Sequence, residues 1–152
     1  MNVSDMMTAH PATIASHATL EQALQTMQIL GCHHLPVISS EHHLIGVLTL
    51  RDCQQALGEP LKKGQPLVNT ALASTIHVSA VMTPAPIVVE PDAPAYEAAR
   101  LMLEHYIGCL PVMRGETLIG IVTNTDLLVA FMQLSQRSSD DTSPSRNRFL
   151  NG

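Results

Sequence analysis

The sequence contains an internal duplication, and no other feature restricts the possible folds as strongly. Shifting the chain by 75 positions aligns residues 1–38 with 76–113, and a shift of 74 positions aligns 44–57 with 118–131. Seventeen of the 52 aligned pairs are identical, whereas average composition gives about three or four identities by chance. We therefore expect the two copies to fold into the same supersecondary unit.

Apolar periodicity predicts the order β-α-β-β-α in each copy. Each copy has a short β-rich run, an amphipathic helix with apolar residues at i, i+3 and i+4, a hairpin of two strands and a final helix. The predicted elements are 13–15, a helix from Leu20, 35–38, 44–49 and 52–57 in the first copy, and 87–89, a helix from Ala95, 110–113, 118–123 and 126–135 in the second. Thr19 and Gln22 form a predicted capping box for the first amphipathic helix, and Pro94 is a predicted first-turn residue of its counterpart.

The predicted elements and the local composition divide the chain into four parts. The copies occupy 1–57 and 77–135, a linker over 58–76 holds a short helical turn around 67–73, and the polar segment 136–152 is expected to be a disordered tail. A unit of about 60 residues leaves a sheet face and sheet edges uncovered. We therefore expect one globular α/β module, of the α+β kind, in which the two repeats pack with pseudo-twofold symmetry.

Charge and composition exclude several classes of partner. The chain has 8 Lys and Arg against 13 Asp and Glu, a net charge of −5, no Trp and only two Tyr and two Phe, which argues against nucleic-acid binding. An N-terminus without a signal-peptide pattern and the absence of an apolar run of about 20 residues predict a cytoplasmic protein without a membrane partner. The three cysteines form no C-x-x-C pair, and the paired histidines lie at opposite ends of a predicted strand, so no metal site is expected.

Residues for catalysis are not evident. An enzyme needs a nucleophile with its base, paired carboxylates or an open metal site. Asp52 and Asp126 belong to different copies, and Cys109 has no charged partner placed to activate its thiol. We therefore predict that the protein is not an enzyme and requires no cofactor.

The sharpest repeated string runs from a strand into a helix. It reads Gly-Val-Leu-Thr-Leu-Arg-Asp at 46–52 and Gly-Ile-Val-Thr-Asn-Thr-Asp at 120–126. One interpretation is structural, because Thr-x-x-Asp at a helix start is a capping pair worth about 1 kcal/mol. The other is functional, because the Asp carboxylate can accept two hydrogen bonds from a ribose diol beside helix N–H groups that suit a phosphate.

Three repeated motifs together give the chain a family resemblance. These are the Leu-Pro-Val of the first hairpin strand, the Leu-Ile-Gly-h-h-Thr-x-x-Asp of the second and the Val-Ser-x-x-Met-Thr lead-in. Over roughly residues 1–135 the chain resembles a tandem pair of CBS domains, named after cystathionine β-synthase. The resemblance implies two clefts related by pseudo-twofold symmetry that bind AMP, ADP, ATP or S-adenosylmethionine as regulatory ligands.

The resemblance also implies a role for each matching position. In the second cleft Asp126 would hold the ribose diol and Thr123 would reach the ribose or phosphate, while the remaining residues would enclose the adenine; these are Thr83, Ile87, Ile107, Gly108 and Cys109. The matching positions of the first cleft are Asp52, Thr49, Thr8, Ala12, Cys32, His33 and His34.

The resemblance further implies that the two clefts are unequal. In similar proteins the two residues before the Leu of one copy reach the phosphate in the opposite cleft. His33 and His34 would then face the phosphate held with Asp126, whereas Gly108 and Cys109 would bring no charge to the first cleft. We expect the second cleft to bind phosphate more tightly, with an affinity that rises as pH falls through about 6.5. Because few cations are at hand, AMP, ADP or an uncharged adenosyl tail is expected rather than ATP.

The predicted function is that of a regulatory sensor of adenosyl nucleotides. Its output would go through an unknown effector protein or through self-association. Apolar residues at 56–57 and 127–134 predict a homodimer. An interaction module that binds no ligand is the alternative.

Overall fold

The computed structural model describes residues 1–58 and 70–141, and within them the chain forms two β-sheets with helices packed against them. The predicted α+β class is confirmed. The strands and helices are β1 Thr8–Ala9, β2 Ile14–Ala15, α1 Leu20–Leu30, β3 His34–Ile38, β4 Leu44–Thr49, α2 Leu50–Leu57, α3 Thr70–Ala73, β5 Thr83–Pro84, α4 Ala95–His105, β6 Cys109–Arg114, β7 Thr117–Thr123 and α5 Asn124–Asp141.

Each copy contains the predicted antiparallel hairpin. The hairpins are β3 with β4 and β6 with β7, and their registers place His34 opposite Thr49 and Cys109 opposite Thr123. The residue before each Leu-Pro-Val therefore lies beside the Thr that ends the neighbouring strand.

The strand predicted over 87–89 is reduced to one bridge. Val89 pairs in parallel with Val112, as β2 pairs in parallel with β3 in the first copy. In the first copy the N–H of Ser16 extends the pairing by donating to the carbonyl of Ile38. Pro91 occupies the equivalent position of the second copy and has no N–H to donate, so the pairing ends there.

The lead-in of each copy joins the sheet of the other copy, which the sequence did not predict. The first sheet has the order β2-β3-β4-β5 and the second β1-β7-β6, so β1 and β5 have changed places. Short 3-10 helices precede these strands, and their valines are fully buried in the opposite core: Val3 in the second and Val78 in the first. The copies are therefore interlocked rather than merely packed together.

Repeated glycines permit this exchange. A Cβ on Gly46 would lie 2.5 Å from Sδ of Met82 and 2.9 Å from the carbonyl oxygen of Thr83, and a Cβ on Gly120 would lie 2.5 Å from Sδ of Met7. Met7 and Met82 pack against the cores, and each follows a 3-10 turn and covers a glycine of the other copy.

A small apolar cluster joins the copies at the centre of the module. It contains Val47, Ile121 and Cys109. Val47 and Ile121 are equivalent under the repeat, and the equivalent of Cys109 is His34. At this seam between the copies, one pair of equivalent residues is therefore alike (Val47 and Ile121) and the other pair differs (His34 and Cys109).

Several helix boundaries differ from prediction. Helices α2 and α5 begin at Leu50 and Asn124, two residues earlier than predicted in each copy. Pro94 is the N-cap of α4 rather than its first residue. Helix α5 continues to Asp141, so the disorder predicted from residue 136 is wrong for 136–141, where Ser138 and Ser139 hydroxyls donate to carbonyls one turn earlier. Extending a formed helix costs much less than nucleating one, which lets a polar segment continue it. Residues 142–152, and 59–69 of the predicted linker, lie outside the described residues.

Candidate functional site

Both Thr-x-x-Asp strings cap a helix. At the junction of β4 and α2 the N–H of Thr49 donates to Oδ2 of Asp52 (2.9 Å), and the N–H of Asp52 donates to Oγ1 of Thr49 (3.1 Å). At the junction of β7 and α5 the corresponding distances are 2.8 Å for Thr123 and 3.3 Å for Asp126. The capping interpretation is confirmed in both copies, as is the capping box at Thr19 and Gln22.

Capping leaves half of each carboxylate available. Within the described residues, every hydrogen bond that the carboxylates of Asp52 and Asp126 accept ends on Oδ2. Within residues 1–58 and 70–141, Oδ1 of neither aspartate has a hydrogen-bond partner, and both side chains are half-buried. A carboxylate oxygen accepts more than one hydrogen bond, so each junction retains an acceptor for a further donor.

The second junction brings together residues from both copies. The N–H of Asn124 donates to the carbonyl of Gly108 (3.0 Å), which fixes the segment before β6 against the first turn of α5. A Cβ on Gly108 would lie 3.6 Å from Nε2 of His34 and 3.6 Å from Nδ2 of Asn124. The imidazole of His34, which belongs to the first copy, therefore lies beside the start of α5 in the second copy.

The first junction has the same backbone arrangement with different side chains. The N–H of Leu50 donates to the carbonyl of His33 (2.9 Å), which matches the bond between Asn124 and Gly108. Cys109 of the second copy lies close enough to this junction to feel the charge of Asp52. Burial is the larger cause and the negative charge of Asp52 the smaller one, and together they raise the pKa of the Cys109 thiol to about 12. The crossing is thus reciprocal, with an imidazole in one direction and a neutral thiol in the other.

His34 lies within the electrostatic influence of both aspartates. Burial lowers the pKa of the imidazole below its ordinary value, and the neighbouring His33 lowers it further, while the charges of Asp52 and Asp126 act in the opposite direction. In the free protein His34 is consequently neutral at pH 7.

The lead-in residues lie on both sides of the seam. Thr8 pairs with Ile121 and Thr83 with Val47, so each threonine is an exposed residue on the sheet of the opposite copy. Four predicted adenine-lining residues are partly buried against a core: Ala12 and Cys32 on the first, Ile87 and Ile107 on the second. No hydrogen bond among the described residues joins Thr8 or Thr83 to either aspartate.

A hollow of about 400 Å³ opens at the opposite end of β3 from His34. It adjoins the lead-in of the first copy on both sides of Ala12. Its lining consists of His10, Pro11, Thr13, Ile38, His42, Glu116, Thr117 and Leu118. Four strand residues of about 3.3 Å each separate Ile38 from His34, so this hollow is not part of the Thr-x-x-Asp junctions.

Asn124 is the residue of the second junction that sequence reasoning missed. A signal was present in the repeat alignment, where Asn124 falls opposite Leu50 inside the conserved Thr-x-x-Asp spacing. A polar residue opposite an apolar one, at a position next to Thr123, marks a difference between the two junctions.

The described residues contain neither a metal-binding cluster nor a membrane-spanning helix. Over residues 1–58 and 70–141 there is no group of three or more His, Cys, Asp or Glu side chains that could hold a metal ion. In the same part of the chain, no helix has the length and apolar character needed to cross a bilayer.

Comparison with known proteins places this geometry in a family. The CBS domain family profile matches residues 3–59 and 78–133. A CBS domain-containing protein of Dictyostelium discoideum is 33% identical over 127 residues, which are 83% of this chain and 88% of that protein. The crystal structure of CBSX2 in complex with AMP, from Arabidopsis thaliana, has a TM-score of 0.70 at 30% identity and covers 88% of this chain and 98% of its own.

The same module also occurs as part of larger proteins. Homoserine O-acetyltransferase of Methanococcoides burtonii is 30% identical over 127 residues, which are 83% of this chain but only 23% of that enzyme. The similarity therefore concerns a minor part of the enzyme.

Proposed function

Because the chain belongs to the CBS domain family, whose paired domains are regulatory modules, we propose that it binds an adenosyl nucleotide and transmits its occupancy to another protein. The ligand we assign is AMP, with ADP as the next candidate. This proposal is supported by the complex of AMP with CBSX2, a relative that is 30% identical and covers most of the chain.

The observation that carries the proposal is the unsatisfied oxygen of Asp126. Its Oδ2 serves the helix cap, and Oδ1 is left without a partner among the described residues. A ribose diol supplies two O–H donors, which a half-buried carboxylate accepts as charge-assisted hydrogen bonds. Thr123, adjacent to this carboxylate, is assigned to the ribose or phosphate.

The adenine is assigned to the residues between the lead-in and the first hairpin strand. In the second cleft these are Thr83, Ile87, Ile107, Gly108 and Cys109, and in the first cleft Thr8, Ala12, Cys32, His33 and His34, with Thr49 and Asp52 as counterparts of Thr123 and Asp126. Partly buried apolar side chains at four of these positions provide the surface that an adenine ring needs.

We assign the phosphate to the second cleft. Nε2 of His34 lies near Gly108, beside the start of α5, where the positive end of the helix dipole favours an anion. The first cleft receives only the neutral thiol of Cys109. With few cations at either junction, a triphosphate would be poorly neutralised, and AMP is favoured over ATP.

We propose a binding role rather than a catalytic one. Asp52 and Asp126 cap different helices, so they do not form an acid and base pair. Burial and the charge of Asp52 raise the pKa of the Cys53 thiol to about 12, as for Cys109, which leaves little thiolate for nucleophilic attack at neutral pH. The unpaired cysteines of the described residues fit the predicted cytoplasmic location.

Self-association is assigned to the exposed side of α5. Five large apolar residues of this helix are exposed: Leu128, Val129, Phe131, Met132 and Leu134. Leu57, which was predicted to add to this surface, is instead buried in the first core. An apolar stripe of this kind is typical of a protein interface, and we propose that it forms a homodimer. Light scattering should show a dimer for the native chain and for Ile29→Asp, a control at an exposed apolar residue of α1, and a monomer for Phe131→Asp.

Thermal unfolding with a panel of adenosyl compounds tests the proposed function. A ligand at 100 times its Kd adds about 2.7 kcal/mol of stability, so AMP should raise the Tm of the native chain clearly, and guanosine monophosphate should not. The capping role of both aspartates favours one alternative, an interaction module that binds no nucleotide. A Tm that no adenosyl compound changes would support that alternative.

A further inference from the structure

We infer that Asn124, together with His34 of the other copy, forms a subsite that makes the second cleft prefer a phosphorylated adenosine over adenosine itself. This inference rests on the proposed function and extends it, because it identifies a specificity-determining residue and the chemical group that it recognises.

The side chains of Asn124 and His34 both lie close to Gly108. Nδ2 of Asn124 and Nε2 of His34 both lie 3.6 Å from the point where a Cβ of Gly108 would stand. Two nitrogen-bearing side chains from different copies therefore lie beside Gly108, which has no side chain of its own. Asn124 is exposed and is held in place by its N–H bond to the carbonyl of Gly108 (3.0 Å).

The second step is the comparison with the first junction. The repeat places Leu50 at the position of Asn124, Cys109 at that of His34 and His33 at that of Gly108. The first junction thus presents an apolar side chain, a buried neutral thiol and an exposed imidazole, where the second presents an amide, an imidazole and a glycine. The second junction therefore places two side-chain nitrogens beside a residue without a side chain.

The third step is chemical. The Asn amide has two N–H donors, and the imidazole has one when neutral and two when protonated. Phosphate oxygens accept these hydrogen bonds and strengthen them through their negative charge, whereas the 5′ hydroxyl of adenosine is uncharged and gives only weaker, neutral hydrogen bonds. The charged and titratable groups that act on His34 are His33, Asp52 and Asp126. Two of these are negative, and a bound phosphate adds a third anion that favours the imidazolium.

The test is a reciprocal exchange between the copies. Asn124→Leu gives the second junction the residue of the first, and Leu50→Asn makes the opposite change as the matched control. Calorimetric titration of the full chain with AMP and with adenosine gives the ratio of their affinities. Loss of hydrogen bonds to a charged group weakens binding by about 10- to 100-fold. We therefore expect Asn124→Leu to weaken AMP binding by that factor and adenosine binding by less than twofold. Leu50→Asn should change neither affinity.

A second variant separates recognition from helix stability. Asn124→Asp keeps the size of the side chain and favours the helix start, but it places a negative charge beside the phosphate. It should leave the Tm of the free chain unchanged or higher while AMP binding is lost.

The outcomes separate the inference from the proposed function. If the native chain binds adenosine as tightly as AMP, or if Asn124→Leu weakens both ligands equally, the subsite is wrong while the nucleotide-binding function stands. If the native chain binds neither compound, the proposed function fails and the inference fails with it.

Discussion

The two copies share one fold and one capping device, yet they differ where they meet. Cys109 is buried in the apolar cluster of the seam, and its counterpart His34 is half-buried and lies beside the junction of the other copy. The capping Thr and Asp are identical in the two copies, whereas the equivalent residues Cys109 and His34 differ. The duplicated frame is thus the same on both sides, and a few residues where the copies meet distinguish the two junctions.

The largest expected difference concerns the glycines under the exchanged lead-ins. A Cβ at Gly46 meets a backbone carbonyl at 2.9 Å, whereas at Gly120 the carbonyl of Thr8 is 3.1 Å away. A methionine end can move, but a carbonyl in a strand pair moves with difficulty. By urea unfolding, Gly46→Ala should lower the free energy of unfolding by about 2 to 3 kcal/mol and Gly120→Ala by about 1 to 2 kcal/mol. Equal losses would show that the two crossings are equally tight.

Removing the capping hydroxyls should affect stability equally and binding unequally. Thr49→Val and Thr123→Val each remove one cap at nearly constant volume, which costs about 1 kcal/mol of unfolding free energy. AMP affinity should fall only for Thr123→Val. A fall in affinity for both variants would mean that both clefts hold the phosphate.

Acidification should weaken the free fold and strengthen AMP binding through the same residue. Because the pKa of His34 is lowered in the folded state, the unfolded chain binds more protons, and this contribution to stability is lost as pH falls below about 6.5. Because a single imidazole is involved, the free energy of unfolding can fall by at most about 1.4 kcal/mol per pH unit through this residue. A bound phosphate favours the imidazolium, so AMP affinity should rise over the same range.

His34→Gln provides the check on this pH dependence. It should flatten both pH profiles, while the exposed His17→Gln variant keeps the native ones. If the His34→Gln variant keeps the native pH dependence of stability and of AMP affinity, then a residue other than His34 takes up the proton and this prediction is wrong.

The smallest expected effect lies at the ends of the first helices. Gly31 caps α1 in the left-handed region (φ 65°), and Tyr106, with φ 53°, does the same for α4. A left-handed non-glycine residue costs about 1 to 2 kcal/mol, and glycine adds about 0.5 to 1 kcal/mol of chain entropy. Tyr106→Gly should therefore stabilise the fold by about 0.5 kcal/mol, and Gly31→Ala should destabilise it. A destabilised Tyr106→Gly variant would indicate that this exposed tyrosine makes contacts that offset its strain.

The sequence predicted what depends on local pattern. Hairpins, helices and caps follow from periodicity and from neighbours such as Thr49 and Asp52, so they could be placed before the fold was known. The exchange of β1 and β5 depends on contacts between residues far apart, such as Met7 with Gly120, and no local pattern reports these. Asn124 was missed for a related reason, since its meaning appears only when the imidazole of the other copy is placed beside it.

Asp126 is the residue that we propose holds the nucleotide, and calorimetric titration of AMP tests this role most directly. Asp126→Asn and Asp52→Asn each keep an oxygen for the helix cap and remove the charge, so both variants should fold. We predict one AMP bound per chain, with affinity at least tenfold weaker in Asp126→Asn and within twofold of native in Asp52→Asn. Equal affinities in all three proteins, or an equal loss in both variants, would contradict the account.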